Sequence, residues 1–238
     1  MTLSPARWSS VSKKLITGIT GLGLVLFVIA HLTGNLTLLL GPEAFNAYAH
    51  FLHSLFHGWF VYIADLGLIV FFAAHAVAGL HVWYKRRKAR PQRYAVRGSA
   101  GGPSRRTLAS STMALSGLFL LVFLIFHVQH FKFGPQYTTM LHGEEVRDLY
   151  RLVAEEFQKP VIVISYVGFM VLLGMHLRHG VWSMLQSLGA LNRRYLPLAY
   201  SSAAVIAALL AIGFIVLPIA LYFVGDPTQV AILQGVMP

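Results

Sequence analysis

Five long stretches of the chain carry almost no charge: about 15–40, 60–84, 108–130, 160–186 and 198–224. Shorter charged or glycine- and proline-rich segments separate them. At 1.5 Å rise per residue, each stretch can cross a hydrocarbon core of about 30 Å with some tilt. Lipid offers no partner to open backbone groups, so a crossing segment is either a helix or a strand of a closed barrel. Barrel strands are short and alternate apolar with polar residues. These runs are long and continuous, so they predict helices. The expected fold is all-α, an integral membrane bundle of five transmembrane helices formed by residues 1–238 as a single domain.

The first run follows a basic start, as a signal peptide would. It is roughly twice the length of a usual signal-peptide core and contains His31 and Asn35, so a retained first span is expected. The glycine-, serine- and proline-rich segment 95–104 reads as part of a loop rather than a domain boundary.

Composition agrees with the pattern. The chain is 56% hydrophobic and 11% charged, where soluble domains carry about 25% charged residues. A net charge of +11 could signal nucleic acid, but the basic residues flank the apolar runs instead of forming a polar domain. No nucleic acid is expected as partner.

Their placement sets an expected orientation instead. Arg7, Lys13 and Lys14 precede span one. Lys85, Arg86, Arg87, Lys88, Arg90, Arg93, Arg97, Arg105 and Arg106 lie between spans two and three. Arg178, Arg193 and Arg194 follow at the end of span four. All three groups fall on one side. The other side has only Lys132, Arg147, Arg151 and Lys159, with most of the acids, Glu43, Glu144, Glu145, Asp148, Glu155, Glu156 and Asp226 among them. The reading is a prokaryotic cytoplasmic membrane protein, multi-pass, with its N-terminus cytoplasmic and its C-terminus outside.

With no cysteine, the chain can form neither a covalent haem attachment through thiols nor a cysteine-ligated cluster. It does have eleven histidines, and ionisable residues inside spans are functional by default. From the helical rise, His31 and His127 lie about 24 and 28 Å from the cytoplasmic end of their spans, and His75 and His176 about 14 Å. Four helices thus supply one histidine each, at two depths. Neutral imidazole is a haem-iron ligand, and two opposite imidazoles leave no open position for oxygen. The constellation predicts two non-covalent b haems, offset by about 10–14 Å, that carry electrons across the membrane.

His75-Ala-Val-Ala-Gly79 and His176-Leu-Arg-His-Gly180 share the spacing His-x-x-x-Gly. One turn away on the same face, Gly79 and Gly180 would let a flat macrocycle approach the backbone. The competing reading is a small-residue helix contact. His130 and His179 are rivals to His127 and His176 as ligands. His81 reads as a headgroup-level residue, and His50, His53, His57 and His142 as residues of the outer connections.

These residues carry a resemblance. The segments are Ser12-Lys13-Lys14, Thr20-Gly21-Leu22, Ala30-His31-Leu32-Thr33-Gly34-Asn35, Ala74-His75-Ala76-Val77-Ala78-Gly79, Phe126-His127-Val128 and Met175-His176-Leu177-Arg178-His179-Gly180-Val181-Trp182-Ser183. In that order, over about residues 8–185, the chain resembles the cytochrome b membrane subunit of succinate dehydrogenases and fumarate reductases (complex II), in the five-helix, two-haem class. The resemblance implies that His31 and His127 ligate the distal haem iron, and His75 and His176 the proximal one. It also implies a flavoprotein subunit and an iron–sulfur subunit on the cytoplasmic face, with FAD and iron–sulfur clusters confined to those partners. Electrons would pass to quinone, menaquinone in the first instance, or return from quinol to fumarate.

Beside His176, Arg178 is the expected cation for haem propionates. Asp65, the carboxylate inside an early span, is the candidate acid for quinone protonation. The alternatives are the cytochrome b subunit of another quinone-linked dehydrogenase, and a non-haem anchor or transporter whose histidines relay protons.

Overall fold

The computed structural model of the chain describes residues 9–89, 107–192 and 194–224. Arg7, Arg90, Arg93, Arg97, Arg105, Arg106, Arg193, Asp226 and the 95–104 segment lie outside the described residues. Among the described residues, seven α-helices and one hairpin follow in the order α1 (Ser10–Asn35), α2 (Pro42–Ser54), α3 (Trp59–Lys88), α4 (Leu108–Phe131), β1 (Thr138–Leu141), β2 (Glu144–Arg147), α5 (Leu149–Phe157), α6 (Pro160–Ser187) and α7 (Leu196–Val224). Five of the helical segments are long and apolar enough to cross a membrane. The chain is a multi-pass helical membrane protein, and its spans fall on the five apolar runs.

Helix starts have local causes. The Ser9 side chain accepts the Ser12 N–H of α1 at 3.0 Å. At α4, Thr107 and Ser110 cap each other reciprocally: the Thr107 hydroxyl accepts the Ser110 N–H at 3.1 Å, and the Ser110 hydroxyl accepts that of Thr107 at 2.9 Å. Such a box satisfies two of the donors that a helix start leaves open. Pro42 and Pro160 open α2 and α6, where a missing N–H costs nothing.

α1, α3, α4 and α6 form a ring in which α1 packs on α3 and α6, and α4 on α6. Contacts between α3 and α4 are sparse, so that seam is the loose edge. α7 stands outside the ring against α6 and α1. Its contact face is a ridge of alanines four residues apart, Ala199, Ala203, Ala207 and Ala211, all buried. Gly174 of α6 meets that ridge; a Cβ there would lie 2.9 Å from Ala211 Cβ. Small residues let the backbones close in a setting where lipid gives no hydrophobic drive to associate.

One end of the ring carries the basic helix ends and is called the basic end below. The other is covered by α2, the hairpin and α5, and is called the cap end. Within the cap, Asn46 of α2 is buried and donates to Asp148 Oδ1 at 2.8 Å, while its own oxygen accepts the Tyr150 N–H at 2.9 Å. Asp148 also caps α5 through the Arg151 N–H at 3.1 Å. Arg147 donates to the Phe131 carbonyl at 2.9 Å, which ties the hairpin to the end of α4.

The cap was read from sequence only as connections, and the structure gives it regular elements. α5 is amphipathic and buries Tyr150, Leu152, Val153, Ala154 and Phe157. The hairpin turns at His142 and Gly143, with φ of 51° and 89°, the double positive φ that a two-residue hairpin needs.

Candidate functional site

The four span histidines meet in two pairs. His31 of α1 and His127 of α4 face each other with ring centres 5.7 Å apart. His75 of α3 and His176 of α6 do so at 6.4 Å. Each pair spans a diagonal of the helix ring. The first lies toward the cap end and the second toward the basic end, so the structure brings together the partners that depth alone suggested.

All four line one open cavity of about 2850 Å³. Ordinary ligand pockets hold about 300–1,000 Å³, so there is room here for more than one large group. Among the described residues, no three or more His, Asp or Glu converge as a bare-metal site would require. The histidines come in twos.

A metal held between two imidazole nitrogens, with bonds of about 2 Å, places the ring centres about 6 Å apart. Both observed separations would fit a metal-centred group held between two histidines. The rivals do not share this geometry. His130 packs against Phe126 and Phe131 and stays off the cavity wall. His179 touches the cavity but packs 5.8 Å from Trp182, with no histidine opposite. His81 is exposed.

Hydrogen bonds differ between the pairs. His75 Nδ1 lies 3.3 Å from the Thr20 hydroxyl, and His176 Nδ1 lies 3.1 Å from the Ser116 hydroxyl. The residues that follow, Gly21 and Gly117, run against the same two rings: a Cβ at Gly21 would lie 3.5 Å from His75 Cε1, and one at Gly117 3.3 Å from His176 Cε1. The cap-end pair sits instead among aromatic rings. Phe27 stacks on His31 at 5.3 Å, while Phe123 and Phe131 flank His127 at 5.6 and 5.3 Å. Asn35 Nδ2 lies 3.4 Å from His31 Nδ1, and His127 Nδ1 is buried without a hydrogen-bond partner.

Gly79 and Gly180 both line the cavity. A Cβ at Gly79 would meet nothing within 4 Å, and one at Gly180 only the Met113 methyl at 3.7 Å. They are bare patches of wall rather than helix contacts. Arg178 lies elsewhere, on a separate cavity of about 370 Å³ beside His179, Trp182 and Tyr200. Lys14, Arg86 and Arg87 are the cations that line the main cavity at the basic end.

At the cap end, Asp65 of α3 is ion-paired with Lys132 just beyond α4, which bridges the loose seam. Both line the cavity, as does Arg147. Burial pulls the Arg147 guanidinium below its ordinary range, and its Nε lacks a hydrogen-bond partner, as does the buried Tyr166 hydroxyl.

No family model, curated protein or solved structure matches the chain. The functional reading therefore rests on this geometry.

Sequence reasoning did not connect Thr20 and Gly21 with His75, and did not single out Ser116 and Gly117 at all. A signal was present: a hydroxyl residue and a glycine stand eleven and ten residues before the histidine on both α1 and α4.

Proposed function

We propose that the chain is the dihaem cytochrome b membrane subunit of a succinate:quinone oxidoreductase, working toward quinone reduction or in the reverse direction toward fumarate. The observation that carries this reading is the two diagonal histidine pairs, at ligating separation and at two levels of one cavity. His75 and His176 would hold one b haem, and His31 and His127 the other. Bound there, the two haems supply one-electron transfer between the two ends of the membrane domain.

The chain's own residues do the rest. Each helix gives one ligand, so closing the ring brings the pairs together. The bare walls at Gly79 and Gly180 admit a flat ring against the backbone. Lys14, Arg86 and Arg87 at one end, and Lys132 and Arg147 at the other, can meet haem carboxylates or a quinone oxygen with charge-assisted hydrogen bonds. The unsatisfied Arg147 Nε and Tyr166 hydroxyl suit a ligand oxygen in the same way, because a buried donor left unpaired is costly. Asp65, paired with Lys132 at the cavity's cap-end mouth, is the group we assign to proton exchange with quinone, menaquinone being the natural candidate.

The flavoprotein and iron–sulfur subunits, carrying FAD and the clusters, would dock at the basic end, facing the cytoplasm of a prokaryotic cell. A single facing histidine on each of four helices favours this family over cytochromes that draw two ligands from one helix.

A pyridine haemochrome assay on the purified chain tests the reading. The expected result is close to two acid-extractable haems per chain. His75→Ala and His176→Ala should each remove the same spectral component, and His31→Ala and His127→Ala the other. Absence of haem, or loss of one component in both the His31 and His75 variants, would overturn it.

A further inference from the structure

Thr20 has one hydroxyl proton, and it is committed: the Thr20 hydroxyl donates to the Ile16 carbonyl at 2.7 Å. The Ser116 hydroxyl likewise donates to the Met113 carbonyl at 3.1 Å. Toward the histidines, both oxygens can therefore only accept. A proton on His75 Nδ1 at 3.3 Å and on His176 Nδ1 at 3.1 Å is the arrangement that satisfies both contacts, and it leaves each Nε2 with its lone pair free.

We infer that Thr20 and Ser116 are positioning residues that fix His75 and His176 in the tautomer whose Nε2 can ligate iron. Gly21 and Gly117 complete the device, because a side chain in either place would press on the ring edge at Cε1. This rests on the haem reading above and extends it from the ligands to the residues that aim them. A ligating histidine is ordinarily oriented by what its other nitrogen meets.

The device occurs twice, by the same construction. Thr20-Gly21 precedes His31 by the eleven residues that separate Ser116-Gly117 from His127. Eleven residues are close to three helical turns, so on both α1 and α4 one face carries a hydroxyl–glycine pair at one level and a histidine at the other. α3 and α6 answer with His-x-x-x-Gly in both cases. The four spans are thus two similar helix pairs, α1–α3 and α4–α6, each seating its own basic-end histidine.

The cap-end pair has no such support. The Asn35 group beside His31 Nδ1 is a donor, engaged with the His31 carbonyl at 2.7 Å, and His127 Nδ1 has no hydrogen-bond partner. A hydroxyl oxygen thus faces Nδ1 of each basic-end histidine, and none faces Nδ1 of the cap-end pair among the described residues.

The test is a redox titration, followed optically, of the haem-loaded wild-type chain and of Thr20→Val, Ser116→Ala and Thr20→Ser. Nδ1–H donation makes an imidazole a stronger donor to ferric iron, so its loss raises the potential. Thr20→Val and Ser116→Ala should shift the same one of the two potentials upward and leave the other in place. Thr20→Ser keeps the hydroxyl and should keep the wild-type value. Unchanged potentials in both hydroxyl-free variants would overturn the inference, and so would shifts of different centres or an equal shift in Thr20→Ser. Each of these outcomes is read with two haems bound, so it is distinct from failure of the haem reading, which appears as no haem in the wild-type chain.

Discussion

Asp65 and Lys132 form an ion pair between two half-exposed side chains, the kind of pair that adds about 0–1 kcal/mol. Stability alone gives little reason to place a carboxylate within a span. On the proposed function, its place on the cavity wall gives it proton exchange with quinone instead. Asp65→Asn keeps the shape and most of the hydrogen bonding but cannot carry a proton. On the proposed function, both haems should remain and steady-state quinone reduction should fall by at least about a hundredfold, the lower range for general acid–base catalysis. Haem reduction in rapid mixing should persist. Normal quinone turnover in the Asn variant would return Asp65 to a clamp across the α3–α4 seam. The pairing of the four span histidines was legible in the sequence because depth in a helix follows from counting residues. Their hydroxyl neighbours were not, since Thr20 and Ser116 meet histidines 55 and 60 residues away, and no local pattern encodes that contact. Arg178 is close to His176 in sequence, but two residues put it about 200° around the helix, and there it lines another cavity.

At the level of elements, the spans were readable because twenty or more apolar residues in lipid have one backbone solution. The cap was not, because α2, the hairpin and α5 are short and owe their form to contacts with one another. α5 depends in part on charge. Burial opposes ionisation of Glu155, but Arg151 at 2.7 Å, with Tyr137 and Lys159 nearby, outweighs it and holds the carboxyl below the ordinary range. A depressed carboxylate contributes stability that is full above the unfolded-state value and is lost as pH falls through the folded-state one. Acidification below about pH 4.3 should therefore loosen α5 before the spans. Amide hydrogen exchange, normalised to the intrinsic rate at each pH, should show this as faster exchange over 149–157. Glu155→Gln should remove the acid dependence. An α5 as protected at pH 3.5 as at pH 6 would rule the ion pair out as its support.

At the scale of the whole molecule, the five long helices differ in role. α1, α3, α4 and α6 form the ring around the cavity, and α7 packs on α6 and α1 from outside, adding Phe214, Leu217 and Pro218 to the wall but no histidine. The ring is closed firmly on three sides and loosely between α3 and α4, so the cavity has a natural lateral approach from the lipid. The eleven-residue interval on α1 and α4 separates the two histidine levels by about 16 Å along the helix, roughly half of a 30 Å hydrocarbon core. A charge crossing the whole core does work of about 2.3 kcal/mol for every 100 mV of membrane potential. On the proposed function, an electron moved between the levels does about half of that, on the order of 1 kcal/mol per 100 mV. The partition of one electron between the two haems should then respond several-fold to an imposed potential. In proteoliposomes poised half-reduced, a potassium diffusion potential should transfer absorbance from one haem band to the other, and reversing its polarity should reverse the change. A partition indifferent to voltage would mean that the two levels share one electrical depth. On that function, the spacing of a hydroxyl and a histidine on one helix is also a gear ratio, fixing how much of the membrane voltage each electron would work against.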